Sequence, residues 1–261
     1  MKNVFIEYLR TKKIEGLKKT LGKVDFSGQS SVEEFKKNNE DNYKAIIIND
    51  NDEMITCSKL EVDNIEFFIP EFNPVHIYFS IALENNLNSE LLKKQIKSEI
   101  QMITDSQYNN YGLFISYLKR SMSSIIFLFS SIEAYINQQI PESYEYKKVT
   151  SKQIEIKNKQ QIERHCSFED KVKIILPEIF NSKKFHIDYP SDYQILRNLK
   201  EVRNDLIHLK SDLDKYDNYY REAFNKVIGF KLNETFKSTM KYMNYYIPDF
   251  ITEAANENPA K

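Results

Sequence analysis

The chain has 261 residues with 37 Lys+Arg against 38 Asp+Glu, a formal net charge of −1. That balance excludes a uniformly basic nucleic-acid coat protein and a disordered acidic chain, and leaves room for a local basic cleft. Hydrophobic residues at 41% allow one substantial core, while 5 Gly and 7 Pro are too few for a collagen-like or Gly-loop-dominated fold.

Residues 1–43 read as a mostly helical, Lys-rich lead-in, with Leu17 and Leu21 on a sparse apolar stripe interrupted by Gly16, Gly22 and Gly28. Charges interleave with Val4, Phe5, Ile6 and Leu9, so no signal-peptide apolar region forms there. Three β-type runs follow at 45–48, 54–60 and 65–69, separated by Asn/Asp clusters and closed by Pro70 and Pro74; they predict a small antiparallel meander with a turn at Asp63-Asn64.

Helical periods dominate from Val75 onward. One helix is expected over 75–85 and a second over 89–103, started by Ser89-Glu90. The longest pattern, 112–139, is apolar almost all round in its middle and predicts the central buried helix. Its most apolar part, 121–132, falls short of the ~20 residues a membrane span needs. Residues 144–164 alternate and read as a loop or hairpin, with a turn at Asn158-Lys159. A short helix capped by Ser167 follows over 167–176, then a loop over 181–190. Ser191 and Gln194 form a capping-box pattern opening a helix to about Leu209 or Leu213. Two more helices are expected at 219–228 and 232–246. The fold expected is thus mainly α: a helical bundle over 73–250, preceded over 1–72 by the lead-in and small β meander, with a disordered tail over 251–261.

Cys57 and Cys166 are far apart and neither has a CxxC partner, so they read as reduced thiols of a cytoplasmic protein. No two histidines share an i,i+3 or i,i+4 spacing, and neither a metal nor a cofactor is expected. The tyrosines Tyr216, Tyr219, Tyr220, Tyr242, Tyr245 and Tyr246 suit packing better than base stacking.

The helix after Ser191 carries the functional signal. At ~100° per residue, Ile195, Leu199, Val202, Leu206, Leu209 and Leu213 share one core stripe. With Arg203 set at 0°, Asn204, Ile207 and His208 fall at roughly 100°, 40° and 140°. Arg197, Lys200 and Leu196 join that second face. It is basic, holds an apolar pair (Leu196 and Ile207), and has no acid within its arc, which suits an anionic ligand or a covering partner. The alternative is an ordinary exposed face whose arginines are neutralised by Glu201 and Asp205 on its flanks.

The run Leu199-Lys-Glu-Val-Arg203-Asn204-Asp-Leu-Ile-His208 resembles the signature helix of the HEPN superfamily: an Arg, usually a polar residue next, then a His after four to six intervening positions. The stretch Ser130-Ser-Ile-Glu133-Ala-Tyr-Ile-Asn137 on the preceding long helix is similar to the Ser-x-Glu-Ala stretch of several HEPN families. The resemblance covers about 73–250 and implies a helical bundle that dimerises through the signature helix. It also implies a metal-independent endoribonuclease acting as a toxin or antiphage effector. The alternative it leaves open is a catalytically inactive module that binds a protein partner or nucleotide. Expected partners are RNA, a second copy of the chain, and an antitoxin or defence-system protein; no membrane is expected. In a toxin subset of the family a Tyr two residues after the His is modified by the antitoxin. Here that position is Lys210, which argues against that form of regulation.

Metal-free RNA cleavage needs a base for the 2′-hydroxyl proton, an acid for the leaving 5′-oxygen and a cation for the phosphoryl oxygens. An imidazole ordinarily titrates at about 6.5, which suits either proton role, so His208 is the candidate base or acid. Arg203 offers a planar fork matched to phosphate, and Asn204, one turn before His208, is expected to orient its ring. Arg197 and Lys200 are expected to hold RNA, and Ile207 to sit in the dimer interface, since one chain supplies a single His to two proton transfers. Glu133, a charge on the most apolar helix, is expected to meet Arg203 or another cation, unless it lies at an exposed helix end.

Overall fold

The structure, a computed structural model, describes residues 4–5, 11–13, 44–48, 53–70, 72–102, 110–149, 154–208 and 216–253. In chain order the strands and helices are β1 (Val4–Phe5), β2 (Thr11–Lys13), β3 (Lys44–Ile48), β4 (Glu53–Val62), β5 (Ile65–Pro70), α1 (Pro74–Gln101), α2 (Tyr111–Gln138), β6 (Tyr146–Val149), β7 (Ile154–Lys157) and α3 (Lys159–His165). Then come α4 (Phe168–Asp170), a π turn (Lys171–Ile175), α5 (Leu176–Ile179), α6 (Phe185–Asp188), α7 (Pro190–Ile207), α8 (Tyr216–Gly229), α9 (Leu232–Tyr246) and β8 (Thr252–Glu253). The protein is mainly α-helical, and it divides into two compact units: Glu7–Pro74, and Met1–Ile6 with Val75–Lys261.

The smaller unit is the expected antiparallel meander with one addition. Strand β4 pairs with β3 along one edge (Ile47 opposite Ile55) and with β5 through Leu60–Phe67 and Val62–Ile65. Asp63 and Asn64 both take positive φ, 52° and 63°, as a two-residue hairpin turn with primed geometry requires. The addition is β2, which pairs Thr11–Lys13 with Ile55–Glu53. Thr11–Lys13 is therefore strand where a helical lead-in was expected, as is Val4–Phe5, which pairs with Thr252–Glu253 in the helical unit. The rest of the expected lead-in, including Leu17 and Leu21, lies outside the described residues, as does the tail beyond Glu253.

In the helical unit α2 is the central element, and its Ile125, Leu128, Ile132 and Ile136 are fully buried. Around them pack Phe79 of α1, Leu196 and Leu199 of α7, and Phe236 and Met243 of α9. Among the described residues α2 is the one helix long and apolar enough to cross a membrane by length and composition. The apolar stretch alone was expected to be too short; the helix as formed has 28 residues. Tyr242 and Tyr246 serve packing: both are buried, and Phe185 meets Tyr242 edge-on at 5.0 Å between ring centres.

One expected break and one expected cap do not form. α1 is continuous where two helices were expected, because the polar residues at the expected break are satisfied without leaving the helix. Asn85 Nδ2 donates to the Ile81 carbonyl (2.8 Å), Ser89 Oγ to the Asn86 carbonyl (2.9 Å), and Asn86 Nδ2 crosses to Asn233 Oδ1 (2.9 Å). The Ser191–Gln194 capping box does not form either. Pro190 opens α7, and Gln194 instead donates to Asn198 Oδ1. The box that does form is Asn158 with Gln161, at the start of α3, where a turn was expected. A hairpin, β6–β7, precedes it. Residues 185–188, expected as loop, form the short helix α6.

The first turn of α7 is anchored by Asp192, which accepts from Ser238 Oγ at 2.7 Å and Lys241 Nζ at 2.6 Å. Burial alone would raise its carboxyl, but the bonds from Lys241 and Ser238 outweigh it and hold the group below the ordinary carboxylate range. A carboxylate with a depressed folded value stabilises above its unfolded value and loses that contribution as pH falls through the folded one. Asp192→Asn should therefore cost about 1–2 kcal/mol at pH 7. Urea melts on acidification should show the gap from wild type closing.

Leu196 was expected beside Ile207 on an outer face. It is fully buried in the core, whereas Ile207 is 45% exposed. Leu196→Ala should cost about 2–5 kcal/mol and Ile207→Ala less than about 0.5 kcal/mol, measured by denaturant unfolding of the same protein.

Candidate functional site

The residues singled out by sequence gather where α7 crosses α2 and α4. Arg203 lies across the Phe129 ring, its Cζ 5.2 Å from the ring centre. Its Nη2 pairs with Glu133 Oε2 of α2 at 3.4 Å, and its Nη1 donates to Asn204 Oδ1 at 3.0 Å. The guanidinium is thus fixed on three sides, with its side chain 23% exposed. Glu133 is half-buried, as a charge facing a cation on a mostly apolar helix must be.

Asn204 does not orient the His208 ring through its amide oxygen, which is committed to Arg203. Its link to His208 is through backbone: the His208 N–H donates to the Asn204 carbonyl at 2.9 Å. His208 is the residue on which the helix ends, with φ −108° and ψ 41°. Leaving helical backbone, it no longer obeys the angle that a continuous helix assigns it, and it is exposed beside exposed Ile207. The helix stops short of Leu209 and Leu213, expected on its core stripe; both lie outside the described residues, as does Lys210.

The face expected to be free of acids is not. Arg197 pairs with Glu201 at 3.6 Å, and Lys200 meets both carboxylate oxygens of Glu169, from α4, at 2.8 Å. Burial pushes the Glu169 carboxyl up, yet the bonds from Lys200 and its own backbone N–H bring it below the ordinary range. Each of the three cations on α7 thus has an acid, two of them from elements distant in sequence, while Asp205 turns away to Lys226 at 2.6 Å. Arg197 and Lys200, expected to hold RNA, each already face a carboxylate in this arrangement.

Lys171, which sequence reasoning missed, completes the cluster. It begins the π turn, whose last bond runs from the Leu176 N–H to the Lys171 carbonyl, five residues back. Such an insertion often marks a functional site. The side chain is buried, and Nζ donates to Asn137 Oδ1 (3.0 Å) and the Glu163 carbonyl (2.9 Å). Burial lowers its ammonium below the ordinary lysine range, and the Glu133 charge acts against that. The only sequence signal was Asn137 one turn beyond Glu133, on the same side of α2. Nothing in the run Phe-Glu-Asp-Lys-Val-Lys separates Lys171 from Lys173, which is exposed.

Among the described residues no three His, Cys, Asp or Glu side chains are grouped to hold a metal ion. No protein-family model matches the chain, and no curated protein or solved structure is significantly similar to it.

Lys171→Met should destabilise by about 2–4 kcal/mol, because it leaves two part-buried acceptors without their donor, each costing about 1–3 kcal/mol. Lys200→Met, at a rim, should cost about 1 kcal/mol or less. Since the folded lysine binds its proton more weakly than the unfolded one, wild-type stability should rise against the Met variant as pH climbs toward the ordinary lysine range. Unfolding at stepped alkaline pH measures it.

Proposed function

We propose that the helical unit is a metal-independent endoribonuclease of HEPN type, a toxin or antiphage effector acting in the cytoplasm as a homodimer. The observation that carries this reading is a guanidinium fixed by Glu133, Asn204 and Phe129 on the helix whose terminal residue is exposed His208. A pre-positioned cation stabilises developing phosphoryl charge without reorganising during the reaction, and an exposed imidazole can exchange protons with solvent and substrate. In the proposed step the 2′-oxygen attacks phosphorus as one His208 takes its proton. The P–O5′ bond breaks as the second copy's imidazole protonates the leaving oxygen, giving a 2′,3′-cyclic phosphate and a 5′-hydroxyl.

A second reading has its own support. All three cations of α7 are paired with acids, which suits an inactive module that docks a protein partner over Ile207.

RNA cleavage in excess chelator separates the two. His208→Ala and Arg203→Ala should each reduce cleavage by at least about 100-fold with unfolding midpoints unchanged for His208→Ala. Cleavage at wild-type rate in both variants, or products ending in a 3′-hydroxyl, would refute the nuclease reading. Ile207→Glu should shift the mass measured in solution from dimer to monomer.

A further inference from the structure

The cations of α7 are neutralised, but a second pair is not. Between α1 and α2 lies an open groove of about 550 Å³ whose eight lining residues include Lys119 and Arg120 and no acid. Arg120 is held in place by a neutral group: its Nη1 donates to Asn85 Oδ1 at 3.1 Å, and the Asn85 amide is itself turned by its bond to the Ile81 carbonyl. A guanidinium fixed by an amide keeps its full charge for a ligand, unlike one fixed by a carboxylate. Leu91 and Leu92 add apolar lining, with Leu91 62% exposed, the kind of surface on which a base or sugar can rest.

We propose that this groove binds single-stranded RNA and leads it toward Arg203; the direction rests on the nuclease reading above, the binding does not. Lys119 and Glu133 are fourteen residues apart on α2, which is about 21 Å along the axis and about 40° around it. They therefore share one side of the helix. Ser116, Ser123 and Ser130 mark the same side at intervals of seven residues, and none of the three is buried. Ser116 Oγ donates to the Gly112 carbonyl and Ser130 Oγ to the Ile126 carbonyl, both at 2.9 Å. With their protons committed, these oxygens offer lone pairs, which match 2′-hydroxyl donors and not phosphate. Cations at one end, acceptors along the strip and a fixed guanidinium at the far end describe a track for a ribose-phosphate strand, longer than a mononucleotide fills.

The test is anisotropy of a labelled single-stranded RNA on the full chain, wild type and His208→Ala, over a range of salt. Lys119→Ala with Arg120→Ala should weaken binding at least 10-fold and lower the slope of log K against log salt by about 1.4, at about 0.7 per lost phosphate contact. The charge-preserving pair Lys119→Arg with Arg120→Lys should keep most of the affinity. DNA of the same sequence should bind more weakly. Lys119 is exposed and its loss should leave thermal unfolding unmoved, whereas Arg120→Ala leaves the buried Asn85 Oδ1 without its donor and should lower the transition modestly, so binding is measured well below it. Unchanged affinity and slope in the double Ala variant, no RNA binding by the wild type, or binding of a mononucleotide in preference to RNA would each overturn the proposal. The two readings fail separately. Cleavage with KM unmoved by the double Ala variant sinks the groove alone; groove-dependent binding by a wild type that does not cut sinks the nuclease alone.

Discussion

The helical unit is organised around a helix that is too apolar to face water on one side and too polar along another to be buried all round. On the apolar side of α2, Ile125, Leu128, Ile132 and Ile136 draw in α1, α7 and α9, because each such side chain gains about 1.5–3 kcal/mol on leaving water. On the polar side, Glu133 and Asn137 cannot be covered by more leucine, since an unpaired buried carboxylate or amide costs more than the cover returns. What covers them has to be cationic, and it is: Arg203 from α7 and Lys171 from the π turn. The position of the candidate site therefore follows from the packing of the core and needs no separate device.

The same constraint explains why Lys171 sits in a π turn. A buried ammonium has three protons to place, and two of them go to Asn137 and to the Glu163 carbonyl of α3. The chain here advances five residues where four would be regular, while Phe168, Val172 and Leu176 stay in the core. The extra residue is the local cost of seating a charge under two helices.

How much of this could be read from the residues depends on where each side chain's partner lies. Where the pattern is self-contained the boundaries come out well: α2 at Tyr111–Gln138 against 112–139, α9 at Leu232–Tyr246, and the Asp63-Asn64 hairpin turn. Ser167 caps its helix by accepting from the Asp170 N–H, a bond three residues long. The misses involve side chains with more than one acceptable partner. Ser89 and Asn85 were read as a helix break, yet both bond backward into their own helix. Ser191 had the spacing for a cap, but Asp192 found Ser238 and Lys241 nearly fifty positions away. Strand β2 carries no alternation of its own and exists because β4 offers it an edge. The acid on Lys200 was illegible for the same reason: a helical wheel shows the charges on one helix and is blind to those brought in by its neighbours. The pairing of Glu133 with Arg203 was legible, because a carboxylate on the most apolar helix has to find a cation.

That blindness bears on function more than on fold. A basic helical face reads as an anion site only while its counter-charges are taken to be those of its own helix. Once Glu133 and Glu169 are in place, α7 keeps one well-fixed guanidinium and no surplus charge, an arrangement that fits the proposed chemistry on a phosphate already delivered better than the capture of a polyanion from solution. Capture needs uncompensated cations within reach of an open surface, because affinity for a nucleic-acid backbone grows with the counterions those cations release. Lys119 and Arg120, the latter held by the Asn85 amide and both beside hydroxyls, are the cations proposed above for that need, on the helix that also carries Glu133. In the reading proposed above, capture and chemistry are separated along one rod, and the end that carries Arg203 keeps its charges paired with Glu133 until a strand arrives.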